Sequence, residues 1–168
     1  EGGLNHYYRE VSYGQFLWQV EVAQNGLGSG QVVNDGWYSN PETMAYWGED
    51  KLQGFYCNTD MLNDRITDLA VWAIRAADAD VDYSRFDTDG DGLITDAELM
   101  IFVVHARPGQ ESFGEDCWVG GPEHHIWSHQ WALHRPVRTD DGVTFPGSHS
   151  YSINFYRCVD IIMASKQA

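Results

Sequence analysis

Basic side chains are scarce in this sequence: ten lysines and arginines face 25 aspartates and glutamates, a formal charge of −15 over 168 residues. Lysine itself occurs only at Lys51 and Lys166. An excess of negative charge this large is repelled by phosphate backbones and anionic lipid, which argues against nucleic acid or an acidic membrane surface as partner. No run of 18 apolar residues occurs, so no membrane span is expected. Cysteine is sparse as well. Cys57, Cys117 and Cys158 lack CxxC spacing, which excludes a zinc ribbon. One disulfide with one free thiol, taking Cys117 and Cys158 as the pair, and three reduced thiols fit that spacing equally. Internal repeats, low-complexity tracts and proline-rich linkers are missing, and no signal peptide is visible within the sequence, as expected if one has been removed. The chain reads as a mature or excised piece. Its content of 43% hydrophobic and 14% aromatic residues is enough for one globular domain over residues 1–168 with a real core. The acidic, Trp- and Tyr-rich, lysine-poor composition points to a secreted or cell-surface setting.

Against that background one stretch stands out: Asp87-Thr-Asp-Gly-Asp-Gly-Leu-Ile-Thr-Asp-Ala-Glu98. Oxygen-bearing side chains occupy its first, third, fifth, ninth and twelfth places, and Gly92 takes the sixth. This is the spacing of an EF-hand calcium loop, where a hard dication takes six to eight oxygens and the glycine permits the sharp turn that points them inward. Asp87, Asp89 and Asp91 are the expected carboxylate ligands, Leu93 supplies a backbone carbonyl, Thr95 a hydroxyl or bridging water, and Glu98 both carboxylate oxygens. An acidic surface turn without metal is the plainer alternative, but three carboxylates crowded on glycine-rich backbone repel one another without a cation.

The flanks differ from an EF-hand. Leu99-Met-Ile-Phe-Val-Val-His105 is apolar until its last residue and rich in β-branched side chains, which fits a strand buried on both faces rather than an amphipathic helix. Upstream, Met61 to Ala77 reads as a helix with Leu62, Ile66, Leu69, Ala70, Ala73 and Ile74 on one stripe and Thr59 or Asp60 as N-cap. The loop is therefore expected to staple a helix-to-strand connection. Elsewhere, Phe16, Trp18, Val20 and Val22 alternate as in a half-buried strand, preceded by a helical turn carrying Tyr7, Tyr8 and Val11. Gly26, Gly28 and Gly30 are spaced too loosely for a phosphate cradle. Residues 31–58 are aromatic-rich, and core packing is the usual fate of such rings. Thr139 to Gly142 is a turn, Ser148 to Phe155 a strand, and the tail from Val159 a helical stub. The fold class is α/β, a mixed sheet with a helix packed on it.

Four stretches together resemble one family, the secreted zinc metalloproteases of the immune inhibitor A type. They are Tyr7-Tyr-Arg-Glu-Val-Ser-Tyr-Gly-Gln-Phe16, Ala76 through Gly92, Phe102-Val-Val-His-Ala-Arg-Pro-Gly-Gln-Glu111 and Ile126-Trp-Ser-His-Gln-Trp131. The resemblance spans residues 4–155 and implies a zincin-like domain, secretion and structural calcium, with Asp87, Asp89 and Asp91 matching the family's acidic loop. The ligand role of Glu98 rests on the EF-hand spacing alone.

The departure from the family is the zinc motif. Two histidines one helical turn apart hold the metal, and the glutamate between them activates water; no His-Glu-x-x-His occurs in this chain. The chain thus looks like the upstream half of such a domain, expected to be proteolytically inactive by itself and to bind no zinc. His125 and His129 have i,i+4 spacing and are the only local zinc candidates. However, Ile126 follows the first of them where the catalytic glutamate belongs, and Gly120-Gly-Pro122 indicates a loop. Packing among Trp118, Trp127 and Trp131 is the preferred role for these histidines, and His105 likewise reads as a core imidazole. Ser128-His129 is a neighbour pair and not a triad, and no Gly-x-Ser-x-Gly elbow occurs. The alternative function is a non-catalytic secreted structural or adhesive subunit that self-assembles on a degenerate form of the same metallopeptidase scaffold. In either case the buried strand of half a domain leaves an open edge, to be covered by self-association or a complementary chain.

Overall fold

The computed structural model describes residues 4–13, 17–48, 64–106, 109, 126, 128–155 and 161–167. Along the chain these form α1 (Leu4–Val11), β1 (Leu17–Ala23), α2 (Met44–Trp47), α3 (Asp64–Ala77), β2 (Leu99–His105), β3 (His129–Ala132), β4 (Val137–Arg138), β5 (Thr144–Phe145), β6 (Ser150–Phe155) and β7 (Ile161–Gln167). Five strands make one mixed sheet in the order β1-β7-β2-β6-β3. Only β2 and β6 run parallel; β1–β7, β7–β2 and β6–β3 are antiparallel. The short β4–β5 hairpin stands apart.

The architecture is the expected mixed α/β one, and its core follows from two amphipathic patterns. On α3, Leu69, Ala70, Ala73, Ile74 and Ala77 are buried and Ile66 packs at the margin of the same cluster. This is the 3.6-residue stripe read from the sequence. Leu62 and the N-cap candidates Thr59 and Asp60 lie outside the described residues. On β2, Leu99, Ile101 and Val103 are buried while Met100, Phe102 and Val104 are half-buried. The strand therefore has one fully covered face and one partly covered face, a correction to burial on both. In register, Ile101 faces Tyr151 and Val103 faces Ile153, so the covered face continues onto β6. There the Tyr151 hydroxyl lies 3.3 Å from that of Thr67 on α3. This buried polar pair ties helix to sheet at the one polar position of the α3 stripe. Further along α3, the Ile74 carbonyl accepts from the hydroxyl of the fully buried Tyr83 at 3.1 Å.

Two further expectations change. The tail forms strand β7, not a helical stub: Ile161 to Gln167 pairs with β1 on one side and with β2 on the other. Its β-branched start suits a pleated surface, and ladder hydrogen bonds available on both sides outweigh the weak helical preference of so short a segment. Accordingly β2 is flanked by β7 and β6, and no open edge lies on it. Near the N-terminus α1 does precede β1, but Val11 is 55% exposed and does not face inward. In the aromatic region Tyr38, Met44 and Trp47 pack on the core while Tyr46 remains exposed. Phe16, Trp118, Trp127 and all three cysteines lie outside the described residues.

Replacing Ile74 with alanine should lower the unfolding free energy by about 2–4 kcal/mol, through lost apolar contact and a residual cavity. Val11→Ala should stay within about 0.5 kcal/mol. Urea denaturation of the two variants checks both.

Candidate metal centre

A 3-10 turn at Tyr83–Phe86 leads into the acidic loop, with Phe86 buried behind it. The loop is built by carboxylates accepting from the backbone. Asp87 Oδ1 takes the N–H groups of Gly90 (2.8 Å) and Asp91 (3.1 Å), and its Oδ2 takes that of Gly92 (2.9 Å). Asp89 accepts from the Asp91 N–H at 3.1 Å and Asp91 from that of Leu93 at 2.7 Å. Gly90 and Gly92 sit at φ +75° and +82°. A Cβ at Gly92 would meet nothing within 4 Å, so the left-handed backbone, and not crowding, is what requires glycine at the sixth place.

Asp87, Asp89 and Asp91 each turn a carboxylate oxygen to a common point, and these three oxygens lie within 4.8 Å of one another. Among the described residues no basic side chain forms an ion pair with them. Asp89 and Asp91 are exposed and Asp87 is half-buried, so solvent screens much of their repulsion and the loop amides offset more. The crowding expected to need a cation is thus already borne by backbone donors. The donor set still suits a hard dication: three anionic oxygens on one side and the Leu93 carbonyl next along the loop.

Thr95 and Glu98 are placed differently. Glu98 Oε1 accepts from the Thr88 N–H (2.8 Å) and hydroxyl (3.1 Å), and Oε2 from the Thr95 N–H and hydroxyl (both 2.9 Å). Four donors occupy all its acceptor directions. Thr95 and Glu98 are also joined through the backbone, the Glu98 N–H donating to the Thr95 carbonyl at 3.0 Å. Burial pushes the Glu98 carboxyl up, but the N–H groups of Thr95 and Thr88 and the two hydroxyls outweigh it and hold it below its ordinary value. The structure therefore brings the three aspartates together and leaves Thr95 and Glu98 bonded to each other.

The far side of the loop is seated on the hairpin and on β6. The Thr144 N–H donates to the Gly92 carbonyl and the Ile94 N–H to the Thr144 carbonyl, both at 2.9 Å, forming a parallel bridge at Leu93. Ile94 is fully buried. Its carbonyl accepts from His149 Nδ1 at 3.0 Å, which places the proton on that nitrogen. Asp96 accepts from the N–H and the hydroxyl of Ser150, each at 2.7 Å, and stands 3.3 Å from His149 Nδ1. Burial drives the His149 imidazole below its ordinary value, against the opposing pull of Asp96 and the Ile94 carbonyl. The hairpin is fastened in turn, as the Tyr83 N–H donates to Asp141 at 2.6 Å and the Asp140 N–H to Asp78 at 2.9 Å. His149, Asp96 and Thr144 escaped sequence reasoning, because nothing local marks a residue whose partner lies about fifty positions away.

The histidine pair does not assemble as a helical ligand set. His129 begins β3, opposite Ile153, with its ring 5.8 Å from that of Tyr151 in an edge-on arrangement. Ile126 and Ser128 belong to no helix, and His125 lies outside the described residues. His105 ends β2, half-buried, opposite Phe155. The glycine segment, spaced too loosely to cradle a phosphate, instead holds an internal anion. The N–H groups of Gly26 and Gly28 donate to Asp80 at 3.0 and 2.7 Å, and the Tyr38 hydroxyl adds a third bond at 2.8 Å. Burial raises the Asp80 carboxyl, and these three donors reverse that to a net lowering.

A family model described as immune inhibitor A peptidase M6, catalytic domain, matches residues 4–156. No curated protein and no solved structure matches the chain.

Two acid-sensitive contributions follow. Glu98 has a native pKa below its ordinary 4.5, so the unfolded chain binds that proton first. Its stabilisation is complete above that value and is lost as pH falls through the native pKa. Glu98→Gln should cost about 1–3 kcal/mol near neutrality and flatten the acid limb below about pH 4.5, read by urea midpoints across pH. His149, lowered from 6.5, has the same sign: stability should fall as pH drops below that value, and His149→Asn should remove this component.

Proposed function

This chain belongs to the immune inhibitor A family of M6 peptidases, and from that premise we propose that it is the calcium-binding portion of an extracellular metallopeptidase domain. One observation carries the calcium assignment: three aspartate oxygens converge within 4.8 Å on a loop of EF-hand spacing. Asp87, Asp89 and Asp91 hold one side of the ion, and the Leu93 carbonyl, Thr95 and Glu98 complete its shell by loop position, Glu98 exchanging donors for metal. The ion supplies positive charge and rigidity to the connection between α3 and β2. It takes no part in chemistry.

The family's zinc does not fit the residues at hand. The chain contains no His-Glu-x-x-His, and its one i,i+4 histidine pair ends in a strand. The chain alone is therefore proposed to be inactive on peptides. An extracellular setting is supported by the secreted character of the family and by the acidic, lysine-poor composition. Among the described residues no helix is long and apolar enough to cross a membrane.

Titration calorimetry with calcium should give about one ion per chain, and Asp89→Asn should weaken binding by at least about tenfold. With calcium at about 100 times its Kd the melting temperature should exceed that in EGTA by about 5–10 °C. An identical melting curve in the two conditions removes the structural-ion reading. Zinc analysis and a casein-cleavage assay test the inactivity of the isolated chain.

A further inference from the structure

Asn25-Gly26 is the only Asn-Gly pair in the 168 residues. In a free chain such a pair cyclises. The glycine nitrogen, unhindered by a neighbouring side chain, loses its proton and attacks Cγ of the asparagine. The Cγ–N bond to the amide breaks and ammonia leaves. Water then opens the succinimide to aspartate or isoaspartate. The only co-reactant is water.

In the folded chain each participating group is engaged. The Gly26 N–H donates to Asp80 Oδ2 at 3.0 Å, and a negative oxygen there opposes loss of that proton. The Asn25 side-chain amide donates to the Trp37 carbonyl at 2.9 Å, which turns Cγ to a fixed direction. The Asn25 N–H donates to the Gly36 carbonyl at 2.9 Å, and its carbonyl accepts from the Val33 N–H at 3.0 Å. Asp80 is itself held by the Gly28 N–H and the Tyr38 hydroxyl. Gly28 lies so close to α3's exit that a Cβ there would stand 2.0 Å from the Ala79 carbonyl oxygen.

We propose that Asn25-Gly26 is a latent self-modification site, closed by the Asp80 carboxylate and opened only when the glycine turn leaves Asp80. Reaction makes that opening one-way. Deamidation replaces the amide donor by an oxygen facing the Trp37 carbonyl, setting acceptor against acceptor. The isoaspartyl product also adds a backbone atom to a turn that must keep Gly26 at φ +86°. The segment then acts as a timer of local opening, chemically recorded at residue 25.

The test incubates the full chain in mildly alkaline buffer and follows residue 25 by mass-spectrometric peptide mapping that resolves Asn, Asp and isoAsp. The same chain in urea sets the unprotected rate, and near-ultraviolet circular dichroism reports the fold. Native protein should deamidate at least about tenfold more slowly than in urea, and folded Asp80→Ala should recover most of that difference. Tyr38→Phe, which keeps both glycine bonds but loosens Asp80, should accelerate the reaction to a smaller degree. A native rate equal to that in urea overturns the proposal, as does a folded Asp80→Ala that keeps the wild-type rate. Should Asp80→Ala fail to fold, Tyr38→Phe decides: acceleration supports the lock, and an unchanged rate refutes it.

Discussion

Carboxylates caught by backbone N–H groups are the interaction on which most of this structure depends. A chain with 25 acidic and ten basic side chains cannot pair its anions with cations one for one, so it uses the peptide backbone as counter-charge. Asp80 gathers the glycine turn, Asp87 winds the acidic loop, Glu98 closes it, and Asp96 fastens it to β6. Asp78 and Asp141 do the same for the β4–β5 hairpin. Each is a charge-assisted bond, stronger than its neutral counterpart, and each joins residues that are loop on at least one side. The strategy places anions where irregular backbone would otherwise leave donors unmet.

The consequence for the acidic loop is that it is seated before any ion is considered. Its outer rim holds the three convergent aspartates, while its inner rim is fixed by Ile94, by the bridge to Thr144 and by His149. The bridge partner, Thr144, belongs to the two-stranded β4–β5 hairpin. The rim is therefore mechanically continuous with the hairpin, with β6 and, through β6, with β2 in the middle of the sheet. The loop runs directly into the central strand β2 and not into an exposed helix.

The part of the fold legible in the sequence was the part with strong local periodicity. The α3 stripe, the β2 apolar run and the strand containing Tyr151 and Ile153 all appear where hydrophobic spacing placed them. The tail was misread because Ile161 to Gln167 has no decisive period of its own; its partners on β1 and β2 make it a strand. The covered and half-covered faces of β2 were equally invisible, since a run of apolar residues looks the same whichever face meets the core. The glycine segment was judged by the spacing of its glycines, and its partner proved to be a single carboxylate beyond the C-terminal end of α3.

By itself the sequence determined the acidic character, the family through four ordered motifs, the absence of a zinc helix within these residues, and the spacing that lets three aspartates share one point. Those properties depend on residue identity and on separations of a few positions, which a chain carries whether or not it is folded. Tertiary structure alone decided that Glu98 faces Thr88 and Thr95, that His149 is buried against the Ile94 carbonyl, and that Asp80 closes over Gly26. Each of these joins a side chain to backbone that the fold must first bring near, and the electrostatic gain exists only after water has been displaced from between them.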